Sequence, residues 1–403
     1  MFRKLCFILM LFAASVQMAN AQKKEISLAK DNVKAGKSLE QAEALMRKLL
    51  ADSTNRNNEK IWLVLFDAVR KQYEAGNEKM YLKQSADTAK LFAATYRMFG
   101  ILEGLDSIDA KPDKKGRVKI AYRKRHAEYL NALRPNLYNA AIFHTGKKEY
   151  QKAYDYFAAY IDCARQPLFS DYNYSSTDKL LPRAAFYALF NGYKTNKAEQ
   201  TLRFAPIAIA DTAKLETTYQ YLAETYRAQN DTLKCLDVLQ KGFERYPKTS
   251  YFFSHLFDHY FRSGDMKRAV ELCDGAVAAD SLNSIALFAK SSVLFAQKRY
   301  DECIAVCVRI IKLDKQNSGA YLNAGLSYFN QAVELDILKN YKRDQRSRML
   351  QLYRKALPYM QTYRKLAPKE QVQWAMPLYT IYLNLNMGKE FDEIDSLMKG
   401  KKK

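Results

Sequence analysis

The chain has 403 residues, with 65 Lys and Arg against 43 Asp and Glu, a formal charge of +22, and only 14 Gly and 9 Pro. That length is enough for a large core or a long helical array, and so few chain breakers disfavour a strand-rich fold. The basic balance favours acidic proteins, anionic glycans or lipid surfaces as partners, and no nucleic acid is expected because the N-terminus reads as an export signal.

Arg3 and Lys4 precede an apolar run over 5–16, and Ala19-Asn20-Ala21 is a small-residue cleavage site. The run is too short to span a bilayer, and Cys6 lies inside it with no Cys directly after the cleavage site, so neither a membrane anchor nor a lipoprotein anchor is expected. The reading is a signal peptide over 1–21, a mature chain from Gln22 without a transmembrane segment, and a periplasmic or secreted protein.

Residues 22–130 read as degenerate helical repeats. Over 24–52 one helical pattern puts Ala42, Met46 and Leu49 on a face, and Trp62, Leu65, Phe66 and Val69 have spacing i, i+3, i+4, i+7. A long helix over 78–99 is expected to end near Gly100, with a loop over 101–117 from Gly104, Pro112 and Gly116. Lys114, Lys115, Arg117, Arg123, Lys124 and Arg125 are candidates for an anionic ligand, against the plainer reading of a solvated face.

Residues 131–398 read as a regular array, with a basic tail at 399–403 expected to be disordered. Leu137, Ala140, Ala141 and His144, then Ala153, Phe157 and Tyr160, form one copy. Eleven extra residues fall within 165–178, where Phe169, Tyr172 and Tyr174 are either a plug over the core or a contact site. Phe186, Leu189, Ala198, Leu202 and Ala205 form a weaker copy.

From 217 to 368 the pattern returns at a fixed step. Tyr219, Leu222, Ala223, Tyr226; Phe253, Leu256, Phe257, Tyr260; and Tyr321, Ala324, Gly325, Tyr328 are separated by 34 or twice 34 residues, with Leu287, Lys290, Ser291 and Leu294 as a weaker copy between. Second helices carry Cys235, Leu239, Gly242; Ala269, Cys273, Ala276; Cys303, Cys307, Ile310; and Ala356, Met360, Tyr363, and Pro358 is expected to start or kink the last. An insert holding Lys339, Lys342, Arg343, Arg346 and Arg348 delays that helix by 19 residues and is expected to lengthen one or both of its helices. Trp374 and Leu378 open a final copy.

A helix pair of this size cannot bury its own apolar face, so the pairs must stack. In order, Tyr219, Leu222, Ala223, Tyr226, Cys235, Leu239 and Pro247 resemble the tetratricopeptide repeat pattern, with Ser281, Lys315 and Lys290 as departures. The resemblance implies an all-α, right-handed α-solenoid of tetratricopeptide-like helix pairs, about seven or eight in number, whose first helices line a concave face. It places Arg227, Phe261, Phe295 and Phe329 on that face at 34-residue steps, beside Tyr251, Phe288 and Leu322, either as a groove for a partner helix or extended peptide or as packing between repeats. The family's Lys and Asn clamp for acidic C-termini is not carried over, since Gln220, Glu224, Ser254 and Asp258 occupy those slots.

No Gly-rich phosphate loop, nucleophile elbow or paired metal motif is present, and His255 and His259 lack the Glu of a zinc protease. Four of the five cysteines after the signal sit in helix-packing slots and read as buried thiols. The sequence therefore predicts a non-enzymatic protein–protein interaction scaffold of the cell envelope with no cofactor or metal; the alternative is a basic envelope protein that binds anionic glycan or lipid.

Overall fold

The computed structural model describes residues 22–113, 115–336 and 343–400, and every regular element among them is helical. They fall into two compact units, one up to Gln229 and one from Asn230 onward. No helix among the described residues is long and apolar enough to cross a membrane.

The first unit holds α1 (residues 22–35), α2 (Leu39–Ala51), α3 (Glu59–Tyr81), α4 (Thr88–Asp109), α5 (Arg123–Gly146), α6 (Tyr150–Asp162), α7 (Tyr174–Thr177), α8 (Leu181–Lys194), α9 (Ala198–Arg203), α10 (Ala205–Ala208) and α11 (Leu215–Ala228). From α2 to α6 each helix packs on the next, and α6 then packs on α8. The expected single helix over 24–52 is two, because Gly36 takes φ +65° and ends α1, with its own amide and that of Lys37 returning to Val33 and Asn32 carbonyls. Ala42, Met46 and Leu49 are buried as expected.

The expected 78–99 helix and 101–117 loop are displaced. α3 runs on to Tyr81, and α4 continues through 101–109, burying Leu102, Leu105, Asp106 and Asp109. Gly104 does not break it. A Cβ there would lie 2.6 Å from the Trp62 ring, so this glycine is a seat for an indole of the preceding helix. In the Phe186 copy, Ala198, Leu202 and Ala205 are not the core face; Thr201, Phe204 and Ala208 are. The second helix is split into α9 and α10, with Pro206 in the first turn of α10, which shifts the buried register.

The second unit holds α12 (Thr232–Arg245), α13 (Ser250–Arg262), α14 (Met266–Ala279), α15 (Ser284–Ala296), α16 (Tyr300–Leu313), α17 (Ser318–Asp336), α18 (Arg343–Leu366), α19 (Gln371–Asn384) and α20 (Gly388–Lys399). Each packs on the next, and the first helices also meet across pairs, α13 with α15, α15 with α17, and α17 with α19. All twelve second-helix slot residues, from Cys235 to Tyr363, are buried. Lys290, in an apolar slot, keeps its side chain only a quarter exposed and pairs with Asp274 at 2.6 Å. The insert lengthens both helices of its pair, and α18 passes through Pro358 rather than starting there. Lys339 and Lys342 lie outside the described residues. Lys399 ends α20 and pairs with Asp395 at 2.6 Å instead of opening a loose tail, and 401–403 lie outside the described residues.

The period extends beyond the apolar slots into the turns. Asn196, Asn230, Gly264 and Lys298 stand 34 residues apart, and all four have left-handed backbone, with φ 55°, 58°, 77° and 60°. Each ends a first helix, and after three of them the next amide is seen reaching back to a carbonyl, Lys197 to Gly192 at 3.2 Å, Asp265 to Tyr260 and Arg299 to Leu294 at 2.9 Å. Asp231 and Asp265 then cap the following helix through the Lys234 and Arg268 amides. No side chain crowds Gly264, so Gly264→Ala is expected to cost about 1–2 kcal/mol through φ alone, whereas Lys298→Gly relieves the same strain and gains about 0.5–1 kcal/mol. Denaturant melts read both shifts, and equal effects of the two changes would contradict the turn argument.

Candidate functional site

The first-helix residues singled out by the repeat divide by burial. Along α13, Phe253, Phe257 and Phe261 form a stacked ladder with centroids 5.8 and 5.5 Å apart, and the Tyr251 ring sits 4.5 Å from that of His255. Phe295 is half-buried against Leu287, Leu294 and Cys303, with its ring 6.0 Å from Tyr300. Phe329 is half-buried beside Tyr353 at 5.9 Å. Phe288 lies over Gly319 of the next first helix, where a Cβ would come within 2.5 Å of its ring, yet it keeps 37% of its surface exposed. Phe295 and Phe329 are partly covered by these contacts, and Phe288 keeps more than a third of its surface accessible. Arg227 belongs to the first unit and pairs with Glu224 at 2.6 Å.

Of the nine exposed large apolar side chains among the described residues of the second unit, five lie on α15 and α19, and the others are Leu233, Leu282, Leu313 and Leu397. Ile285 stands one turn before Phe288 on α15, and Val372, Met376 and Leu383 are exposed at spacings of four and seven along α19, with Val372 91% exposed. Sequence reasoning passed over the α19 residues although their helical spacing was readable, because Trp374 and Leu378 claimed the core face of that helix. His255 and His259 are half-buried, and no group of three potential metal ligands occurs among the described residues.

Lys114 lies outside the described residues. Of the remaining basic candidates, Arg117 pairs with Asp113 at 2.9 Å, and Arg123 grips buried Asp106 with two bonds of 2.8 and 2.9 Å. Lys115, Lys124 and Arg125 are exposed.

The 165–178 insert is a plug, with Phe169 and Tyr174 buried and Phe169 packed 5.8 Å from Phe99. Its lock is Arg134, a buried guanidinium 3.7 Å from the Tyr160 ring and 3.8 Å from the Tyr174 ring. Arg134 also donates to the Tyr160 carbonyl at 3.0 Å and pairs with Asp178 at 2.7 Å, while the Tyr160 hydroxyl donates to the same Asp178 oxygen. Arg134→Met leaves Asp178, its side chain only 10% exposed, without its cation and is expected to cost about 3–5 kcal/mol, with much of the loss recovered in Arg134→Met/Asp178→Asn. Chemical denaturation of the single and double variants decides, and a loss no smaller in the double would refute the pairing.

Glu103, on α4, carries the most perturbed carboxylate. Burial, with the Asp162 charge, raises its pKa to about 7. Asp162 in turn is pushed up by burial although Arg203 pairs with it at 2.8 Å. Because the folded value lies above the unfolded one, the contribution of Glu103 to stability is full below about pH 4.5 and is lost as pH rises to about 7. Glu103→Gln is expected to melt several degrees above the parent at pH 8, and the gap should close by pH 4.5. A difference that did not change with pH would rule this out.

All five cysteines after the N-terminal run are buried and none forms a disulfide, and Cys303 and Cys307 face each other with sulfurs 4.0 Å apart.

The stacked helix pairs with left-handed turns at a 34-residue step define a tetratricopeptide-like helical repeat protein. No family model matches the chain, and no curated protein does. Among solved structures, the chain is similar to the C-terminal part of a TPR repeat-containing protein from Cytophaga hutchinsonii, at 11% identity and TM-score 0.40 over 64% of this chain and 92% of that one. It is also similar to YrrB, described as a TPR protein with an unusual peptide-binding site, at 18% identity and TM-score 0.32 over 47% and 90%. A third is the TPR2AB domain of yeast Sti1 in complex with pHSP90, at 14% identity and TM-score 0.27 over 79% and 98%.

Proposed function

We propose that the protein is a non-enzymatic scaffold of the cell envelope that holds a partner peptide or helix against the first helices of its repeats. The observation that carries this reading is the exposed apolar side chains that two first helices present at helical spacing, Ile285 and Phe288 on α15 and Val372, Met376 and Leu383 on α19. Rows at helical spacing suit the alternate anchors of an amphipathic helix or an extended peptide. The half-buried phenylalanines at 261, 295 and 329 keep part of their surface accessible on other first-helix positions and are candidate contacts beside these residues. The envelope setting is supported by Arg3 and Lys4, the apolar run over 5–16 and the Ala19-Asn20-Ala21 site.

Peptides selected against the purified chain from a display library test the reading. Ile285→Asp/Phe288→Ser and Val372→Asp/Met376→Asp are each expected to weaken the selected peptides by at least about tenfold while the helical signal stays unchanged. Peptides that bind both variants as tightly as the parent would place recognition elsewhere and sink this proposal.

A further inference from the structure

We propose that the strap joining α4 to α5, residues 110–113 and 115–122 with the first turn of α5, is a docking surface for an anionic lipid bilayer. It involves none of the residues assigned to peptide binding and stands independently of that reading.

The strap is pinned from inside. Asp109, itself buried, accepts the Ala121 and Tyr122 amides at 2.8 and 2.9 Å, and buried Asp106 holds Arg123. At the other end Asp113 accepts the amides of Lys115 and Arg117 at 2.7 and 2.9 Å. Between these pins Val118 and Ile120 stand 55% and 41% exposed in a segment without helical structure. Lys115, Lys119, Lys124 and Arg125 are exposed along the same stretch, and among the described residues no carboxylate pairs with them.

An ordered strap that spends two buried carboxylates on its α5 end and leaves two aliphatic side chains wet among unneutralised cations needs a partner with both chemistries. Anionic headgroups meet the ammonium and guanidinium groups, and the headgroup–acyl boundary takes the aliphatic side chains out of water. A hydrated polyanion answers only the charge. Readers of sugars or bases present flat aromatic faces, and the one aromatic ring of the strap, Tyr122, is already stacked on His126 at 5.7 Å.

The purified chain is sedimented with vesicles of phosphatidylcholine containing about 30% phosphatidylglycerol and with phosphatidylcholine vesicles alone. Binding to the anionic vesicles is expected to be at least about tenfold stronger. Val118→Ser/Ile120→Ser should reduce it several-fold, and Lys115→Gln/Lys119→Gln/Lys124→Gln/Arg125→Gln should lower it to the level of neutral vesicles. All six positions are exposed, so both variants should melt like the parent. Equal binding to the two vesicle types, or a Val118→Ser/Ile120→Ser variant that sediments like the parent, overturns the proposal. Retention on heparin without vesicle binding overturns it in favour of an acidic glycan.

Discussion

What the array depends on is the close approach of paired helices, and the chain meets that demand with a missing Cβ or a small side chain at the contact. Gly325 lies against Met360 of α18, Gly242 against the Phe252 ring, and Gly192 against the backbone of Gln200 and Thr201, where a Cβ would come within 2.8 Å. Buried Ala269, Ala276, Ala320, Ala324 and Ala356 do the same with a methyl group. Two helices held so closely must reverse direction in three or four residues, which is why a left-handed residue recurs at 196, 230, 264 and 298. Packing and turn thus share one period because each makes the other possible.

That coupling decides how much could be read from residues alone. Apolar slots at i, i+3, i+4, i+7 report directly on burial, so Leu222, Phe253, Leu256, Leu287 and Ala324 were identifiable, and so were the second-helix slots. Glycine was harder. Gly36 ends a helix by its φ and Gly104 sits inside one beneath the Trp62 ring, and nothing local to either residue distinguishes the two. The turn residues were equally hard to find, because Asn, Gly and Lys share no side-chain signature and are united only by the backbone angle their position imposes.

The candidate surface was legible only in part for a related reason. Spacing puts Phe261, Phe295 and Phe329 on one helix face, but whether a ring on that face is covered depends on its neighbours: Tyr300 and the Leu287 cluster for Phe295, Tyr353 for Phe329. Tyr300 and Tyr353 come from following helices, and their reach is set by packing. Val372 and Met376 remained unnoticed because a helix with an aromatic core residue, Trp374, already satisfied the pattern. Periodicity identifies faces, and exposure is a property of pairs.

Charge follows the same rule. A formal +22 spread over 403 residues says little until the partners are known. Arg134 is consumed inside the core by two tyrosine rings and Asp178, Arg123 by Asp106, and Lys290 by Asp274. Each of these cations fixes a piece of architecture: the plug, the start of α5, a weak repeat. The carboxylates that hold them are then unavailable to neutralise neighbours, so burying Asp106 and Asp109 at the foot of α4 leaves the strap above them more basic than its composition requires. The basic surface next to α5 is in that sense a by-product of how α4 and α5 are joined, and the exposed Val118 and Ile120 are what the joint alone does not account for.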